Sequence, residues 1–214
     1  ICEAPCGPGL SYGNQLIYPQ PILSDIEFDT DGDMLIGLMD RLGHQTGEVN
    51  YSTSAATTSF NFYDFTTGYT ITPVTITAGS TFEGASAGDI LRVCNVAGTF
   101  VLENNATCGG ITTGGAGSAP AQGPGGGEYY WQDMYAVSGN LNSGTHNEVT
   151  LGGLALMPGA DEIAVSVFDP FDIRSGGVAW FSNLTGARTR AFELFPRTDN
   201  ASLFGKAACI GAVE

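Results

Sequence analysis

Gly88-Asp89-Ile90-Leu91-Arg92-Val93-Cys94-Asn95-Val96-Ala97-Gly98 lies over Gly176-Gly177-Val178-Ala179-Trp180-Phe181-Ser182-Asn183-Leu184-Thr185-Gly186 without a gap. The match belongs to a longer duplication. Ile26-Glu27-Phe28 and Met34-Leu35-Ile36-Gly37-Leu38-Met39-Asp40 precede the first copy, and Leu154-Ala155-Leu156 and Ile163-Ala164-Val165-Ser166-Val167-Phe168-Asp169 precede the second. A last short segment follows each, Thr99 to Glu103 and Arg190 to Phe195. Short apolar runs parted by turn residues predict strands, so the duplication predicts two antiparallel four-stranded units. Repeats of this kind read as propeller blades. Two blades cannot close a ring, and each leaves edges and apolar faces that need cover from elsewhere.

The expected fold class is thus all-β and antiparallel, with propeller-blade-like four-stranded units, a long β-hairpin insertion and an extended N-terminal arm. The arm covers 1–22, where Pro19 and Pro21 exclude helix and disfavour a central strand. The first unit covers 23–108, with an insertion at 41–87. A Gly-rich linker follows at 109–127, and the second unit with its C-terminal tail covers 128–214. Inside the insertion, residues 59–65 and 69–77 alternate with a period near two around Thr66-Thr67-Gly68, as a hairpin does. Phe60, Phe62, Phe65, Tyr69 and Ile71 are its candidate contact residues, unless the hairpin simply folds over its own blade as a cover.

Hydrophobic residues make up 43% of the chain and charged residues 14%, which describes a folded protein with an ample core. Seven basic against 22 acidic residues give a net charge of -15, which repels phosphate backbones and argues against nucleic acid as a partner. No apolar run is long enough to span a bilayer, so no membrane insertion is expected, and a start at Ile1 reads as a processed product. The five cysteines show no paired C-x-x-C spacing or neighbouring His, so disulfides are expected rather than zinc, in an extracellular or cell-surface setting. Cys94 and Cys108 are placed to staple a hairpin. Cys6 or Cys2 is placed to reach Cys209, and the odd cysteine is free or intermolecular. Sequons at Asn50, Asn105, Asn183 and Asn200 are expected on surface turns, compatible with export.

Asp29-Thr30-Asp31-Gly32-Asp33 spaces three carboxylates at alternate positions, as calcium loops do. Asp29, Asp31 and Asp33 are the candidate ligands and calcium the candidate cofactor; a metal-free acidic turn is the simpler alternative. After the linker, Glu128-Tyr129-Tyr130-Trp131-Gln132-Asp133-Met134-Tyr135 reads as a strand with Tyr129, Trp131 and Tyr135 on one face. Such aromatics can stack on glycans, although burial between sheets is the preferred reading. His44 and His146 could share a metal or an acid-base site with Asp40, Asp25 or Glu128, but no third ligand stands at a recognisable spacing, and satisfying loop backbone groups is the commoner role. Gly84-Ala85-Ser86-Ala87-Gly88 matches a hydrolase string, but a strand follows where the motif needs a helix. No catalytic residue is assigned, and an enzyme is not expected.

Four stretches, Ser24 to Asp29, Met39-Asp40-Arg41 with Gly43 to Gly47, Gly123 to Tyr130, and Ser175-Gly176-Gly177-Val178, resemble a propeller-like region of large secreted surface proteins of Bacteroidetes-type bacteria that carry SdrD-B-like repeats. The resemblance implies a β fold and a surface or matrix role, with no reaction attached. With the incomplete duplication, it leads to the expectation of an extracellular structural protein that self-assembles with copies of itself into a surface filament, sheath or matrix. The alternative is a carbohydrate-binding or adhesive cell-surface module.

Overall fold

The computed structural model describes residues 15–16, 20–46, 50–51, 58–64, 70–76, 81–84, 88–117, 123–133, 149–168, 170–171 and 175–195. In chain order these form β1 (Gln15–Leu16), β2 (Pro21–Phe28), β3 (Met34–Asp40), α1 (Arg41–Thr46), β4 (Asn50–Tyr51), β5 (Thr58–Asp64), β6 (Thr70–Ile76) and β7 (Thr81–Gly84). Then come β8 (Asp89–Val96), β9 (Thr99–Leu102), β10 (Thr107–Cys108), β11 (Ile111–Thr112), β12 (Thr150–Leu156), β13 (Glu162–Phe168), β14 (Gly176–Ser182) and β15 (Arg188–Phe195). The described residues are all-β with almost no helix. Two antiparallel four-stranded sheets, ordered β2-β3-β8-β9 and β12-β13-β14-β15, correspond to the two copies of the duplication. Within the insertion, β5 pairs with β6 antiparallel, while β7 joins β4 and β1. Neither four-stranded sheet closes on itself.

Local chemistry explains the strand ends. Between β2 and β3, Asp29 Oδ1 accepts the amides of Asp31 and Asp33 at 3.0 and 2.9 Å, an Asx turn. Between β8 and β9, Ala97 and Gly98 both take positive φ, 52° and 86°, the type I′ turn that suits the strand twist. Asp40 caps α1 with both oxygens, accepting the amides of Leu42 and Gly43.

The second sheet lies with β12 across one face of the first, touching β2, β3 and β8. Glycine permits the approach: a Cβ on Gly37 would collide with the Gly152 carbonyl oxygen and come 3.0 Å from Leu154 Cγ. Both copies carry an irregularity at this contact, between Leu23 and Asp25 in β2 and between Thr150 and Leu154 in β12. Asp25 Oδ2 accepts the Leu154 amide across the junction at 2.9 Å. The core joins Leu35, Ile90 and Cys94 of the first sheet to Leu154, Ile163, Val165, Val167, Ala179 and Phe181 of the second, with Tyr129 and Tyr130 between.

Several expectations need correction. Strand β2 begins at Pro21, inside the segment read as an arm, and Pro is tolerated there as the first residue of an edge strand. Within the Gly-rich linker β11 pairs with β10, and Pro124–Gly126 forms a 3-10 turn. Residues 129–132 are turns rather than strand, so Tyr129 and Tyr130 do not point to opposite faces; both are buried, edge to face at 5.2 Å. Asn183, expected at the surface, is 6% exposed.

Candidate functional site

Arg92 is the one charged residue of β8 beyond its opening Asp89, and it is buried. Its Nε and Nη2 donate to Asp33 Oδ2 at 3.1 and 2.8 Å, Nη2 also pairs with Asp29 Oδ2, and Nη1 donates to Tyr130 Oη and Asn183 O at 3.3 Å. The guanidinium also stacks 5.0 Å over Tyr129. Tyr129 and Tyr130 donate their hydroxyls to Asn183 O and Oδ1 at 2.6 and 2.9 Å. One side chain thus joins the β2–β3 turn of the first unit, the aromatic linker and the β14–β15 turn of the second. Buried Glu103 holds the same linker, accepting the Arg92 amide at 2.8 Å and the Tyr129 amide at 2.6 Å. Burial pushes its carboxyl up to about 7, although the two amides pull the other way.

Beside this hub lies an acidic cluster. Asp89, Glu128 and Asp133 each place an oxygen within 4.8 Å of the others. Asp89 opens β8, Glu128 precedes the tyrosine pair, and the Asp133 carbonyl accepts the Val149 amide at 3.0 Å. Burial, followed by the charges of Asp133 and Asp89, drives the Glu128 carboxyl well above its ordinary value, and burial also raises Asp89. Arg188 feels Asp133, although burial lowers its own pKa. Three carboxylates packed this way can share protons or hold an oxygen-ligated cation.

The third feature is the far face of the first sheet. Ile26 pairs with Ile36, which pairs with Leu91; Phe28, Met34, Val93 and Leu102 form the next cross-strand row. By strand alternation these residues point away from the second sheet. Ile26, Phe28, Phe100 and Leu102 are 44%, 56%, 47% and 45% exposed, and Phe28 meets Phe100 edge to face at 6.0 Å. Their counterparts in the second unit, Leu154 and Leu156 with Ile163, Val165 and Val167, pack on the first sheet.

The residues singled out from sequence fall as follows. Asp29 and Asp33 bracket a guanidinium, while Asp31 is exposed. Tyr129 is buried, and half-buried Trp131 donates Nε1 to Thr185 O at 3.3 Å with its ring against Gly114. Cys94 and Cys108 form a disulfide with Cα atoms 5.5 Å apart. Phe60 and Phe62 lie on β5 and Ile71 on β6, where Phe60 is opposite Val74 and Phe62 opposite Thr72. Cys6, Cys209, Phe65, Tyr69, Tyr135 and His146 lie outside the described residues. Half-buried His44 packs against Phe168 at 5.4 Å. Arg92, Glu103, Asp89 and Asp133 escaped the sequence reading, which weighed Glu128 only as a partner of the two histidines; the one available signal for Arg92 was a charge inside an apolar run whose duplicate carries Trp180 at that position.

No protein-family model matches the chain. No solved structure matches it either. The chain is 30% identical over 204 residues to Colossin-A of Dictyostelium discoideum, an alignment that takes in 90% of this chain. It spans about 1% of the length of that curated relative.

Proposed function

We propose that this chain is an extracellular structural protein whose two sheets stand as adjacent propeller-like blades, and that copies stack head to tail into a filament, sheath or matrix. The observation that carries the reading is the open apolar face of the first sheet. Ile26 and Phe28 correspond in the duplication to Leu154, which is buried, and Leu156, which packs partly buried against the core. The chain therefore already contains a surface able to cover such a face, namely the side of a blade that bears Ile90 and Arg92. The matching side of the second unit carries Val178 and Trp180, and next to them on β15 Arg190 and Phe192, the latter 58% exposed. Joining that side of one copy to the open face of the next repeats the contact made inside one chain. Such a heterologous contact continues from copy to copy as a ring or an open fibre.

Other features support the reading. The Cys94–Cys108 disulfide suits an oxidising compartment. The similarity to a segment of a much longer chain suits a module that works beside others. With Tyr129 and Tyr130 buried, no specific observation favours a glycan platform there.

The test uses two variants, Phe28→Glu on the open face and Phe192→Glu on the opposite side of the second unit. Sedimentation of the unsubstituted chain across a concentration series should show growing assemblies. Each variant alone should stay monomeric, while an equal mixture should form a dimer and stop, since each partner keeps one usable face. An unsubstituted chain that remains monomeric at high concentration refutes the proposal, as does a Phe192→Glu chain that still assembles fully.

A further inference from the structure

We propose that Asp89, Glu128 and Asp133 form a binding site for a hard divalent cation, calcium in preference to magnesium, that ties the aromatic segment 128–133 to the start of β8. The site is separate from the Asp29–Asp33 turn and does not depend on assembly of copies.

Geometry comes first. Three oxygens no more than 4.8 Å apart leave a point within about 2.8 Å of all three, close to the roughly 2.3–2.6 Å of a calcium–oxygen bond and longer than magnesium accepts. All three donors are carboxylates, and among the described residues no His or Cys joins the cluster, which disfavours zinc.

Burial and missing partners supply the second observation. Exposed acidic groups need no ion, but Glu128 is 4% exposed and Asp133 fully buried. Glu128 and Asp89 hydrogen-bond carboxyl to carboxyl, yet Glu128 Oε1 and Asp89 Oδ1 remain buried oxygens with no other donor. Buried carboxylate oxygens are ordinarily paired, because leaving them bare forfeits hydration with nothing in return. A further orphan lies nearby in the chain path: Thr150 Oγ1 is buried and unpartnered. Thr150 follows Val149, whose amide bonds the Asp133 carbonyl, and the Thr150 carbonyl occupies the place a Cβ on Gly88 would take, next to Asp89. Nearby charge does not balance the cluster either. Arg188 faces Asp133, but Glu103 adds another carboxylate to the surroundings of Glu128.

The glycine-rich linker explains how Glu128 reaches this position. A Cβ on Gly115 would collide with the Glu128 carbonyl oxygen, and one on Gly123 would come 2.7 Å from Glu128 Cα. The run is therefore glycine where it wraps the Glu128 backbone.

The experiment strips the intact chain of metal with a chelator at neutral pH and titrates it with calcium chloride by calorimetry, with magnesium chloride as comparison. Terbium is then bound, and its emission is read under excitation of the aromatic residues, because Tyr129, Tyr130 and Trp131 follow Glu128 directly. One calcium per chain, weaker magnesium binding, and terbium emission quenched by added calcium are expected. Losing one carboxylate in Glu128→Gln or Asp89→Asn should weaken calcium binding by roughly tenfold or more, while Asp31→Asn should leave it unchanged. No calcium binding by the unsubstituted chain at millimolar concentrations overturns the proposal, whether or not the variants fold. So does binding without sensitised terbium emission, or binding that Asp31→Asn abolishes.

Discussion

Replacing Arg92 by Met tests whether one buried guanidinium holds the two units together. The change removes five donor contacts to Asp29, Asp33, Tyr130 and Asn183 while keeping much of the side-chain volume. It leaves the Asp29 and Asp33 carboxylates, with side chains 4% and 15% exposed, without their cation. Breaking a buried pair in this way costs about 3–5 kcal/mol. Asp29 Oδ1 still accepts two amides and Asp33 Oδ1 still accepts the Asn95 amide at 2.7 Å, so the lower end, about 3 kcal/mol, applies. That is a large share of a typical stability of about 5–15 kcal/mol. Urea unfolding followed by fluorescence and circular dichroism should show a lower midpoint with an unchanged slope. Adding Asp29→Asn and Asp33→Asn to Arg92→Met should recover most of the loss, because the bare charges are then gone. A loss below about 1 kcal/mol, or a triple variant less stable than Arg92→Met alone, would refute the reasoning.

Gly37→Ala should cost about 3 kcal/mol or more, since its Cβ meets the Gly152 carbonyl, which is backbone and cannot swing aside; Gly98→Ala, in open space, should cost only about 1–2 kcal/mol for its left-handed φ. Cys108→Ser should lower stability by about 3 kcal/mol, the value for a loop of some fifteen residues, and reduction of the unsubstituted chain should reproduce it. The carboxyl of Glu103, raised in the folded state to about 7 from 4.5, favours folding fully below pH 4.5, and that contribution is lost as pH climbs to 7. In chelator, unfolding free energy should fall between pH 5 and 7.5 by about 2 kcal/mol more in the unsubstituted chain than in Glu103→Gln, since the raised carboxyls of Asp89 and Glu128 add to the fall in both, and a carbon-13 titration that places Glu103 near 4.5 would contradict this. Trp180 is half-buried with Arg190 stacked 4.5 Å over its ring, so assembly should shift its fluorescence to the blue, while Trp180→Phe abolishes the shift.

The duplication made the two sheets legible because a buried strand needs an unbroken apolar run and a blade repeats it with fixed spacing. Met34 to Met39 and Ile163 to Phe168 announce their strands in that way. The Cys94–Cys108 pairing was within reach because both residues flank one hairpin. The site was not legible. Asp29-Thr30-Asp31-Gly32-Asp33 carries the spacing of a cation loop, and only tertiary structure shows that a residue 59 positions downstream of Asp33 supplies the positive charge. Asp89, Glu128 and Asp133 share no local spacing at all; a β fold and a glycine-rich crossing bring them together. The aromatic run misled for a related reason, since its alternation mimics a strand while Glu103, accepting the Tyr129 amide, and Thr113, donating to the Tyr129 carbonyl, hold it in turns.

Divergence between the two copies fits an asymmetric stacking unit. At the position shared by Arg92 and Trp180, the first copy faces its own second sheet, where Asp29, Asp33 and Asn183 pay for burying a charge. The second copy presents the same position at a half-open surface with Phe192 beside it. An arginine there, if covered by the Met34, Ile36 and Phe28 face of another copy, would be buried among apolar groups without a carboxylate, a cost of several kcal/mol. Tryptophan meets that face with apolar area instead. The internal junction is thus built around an ion pair that joins two sheets in one chain, whereas in the proposed stacking the outward-facing copy would meet its neighbour with an apolar surface and strand no charge. Two surfaces with one geometry and different chemistry are what a chain needs if it is to fold first and stack afterwards.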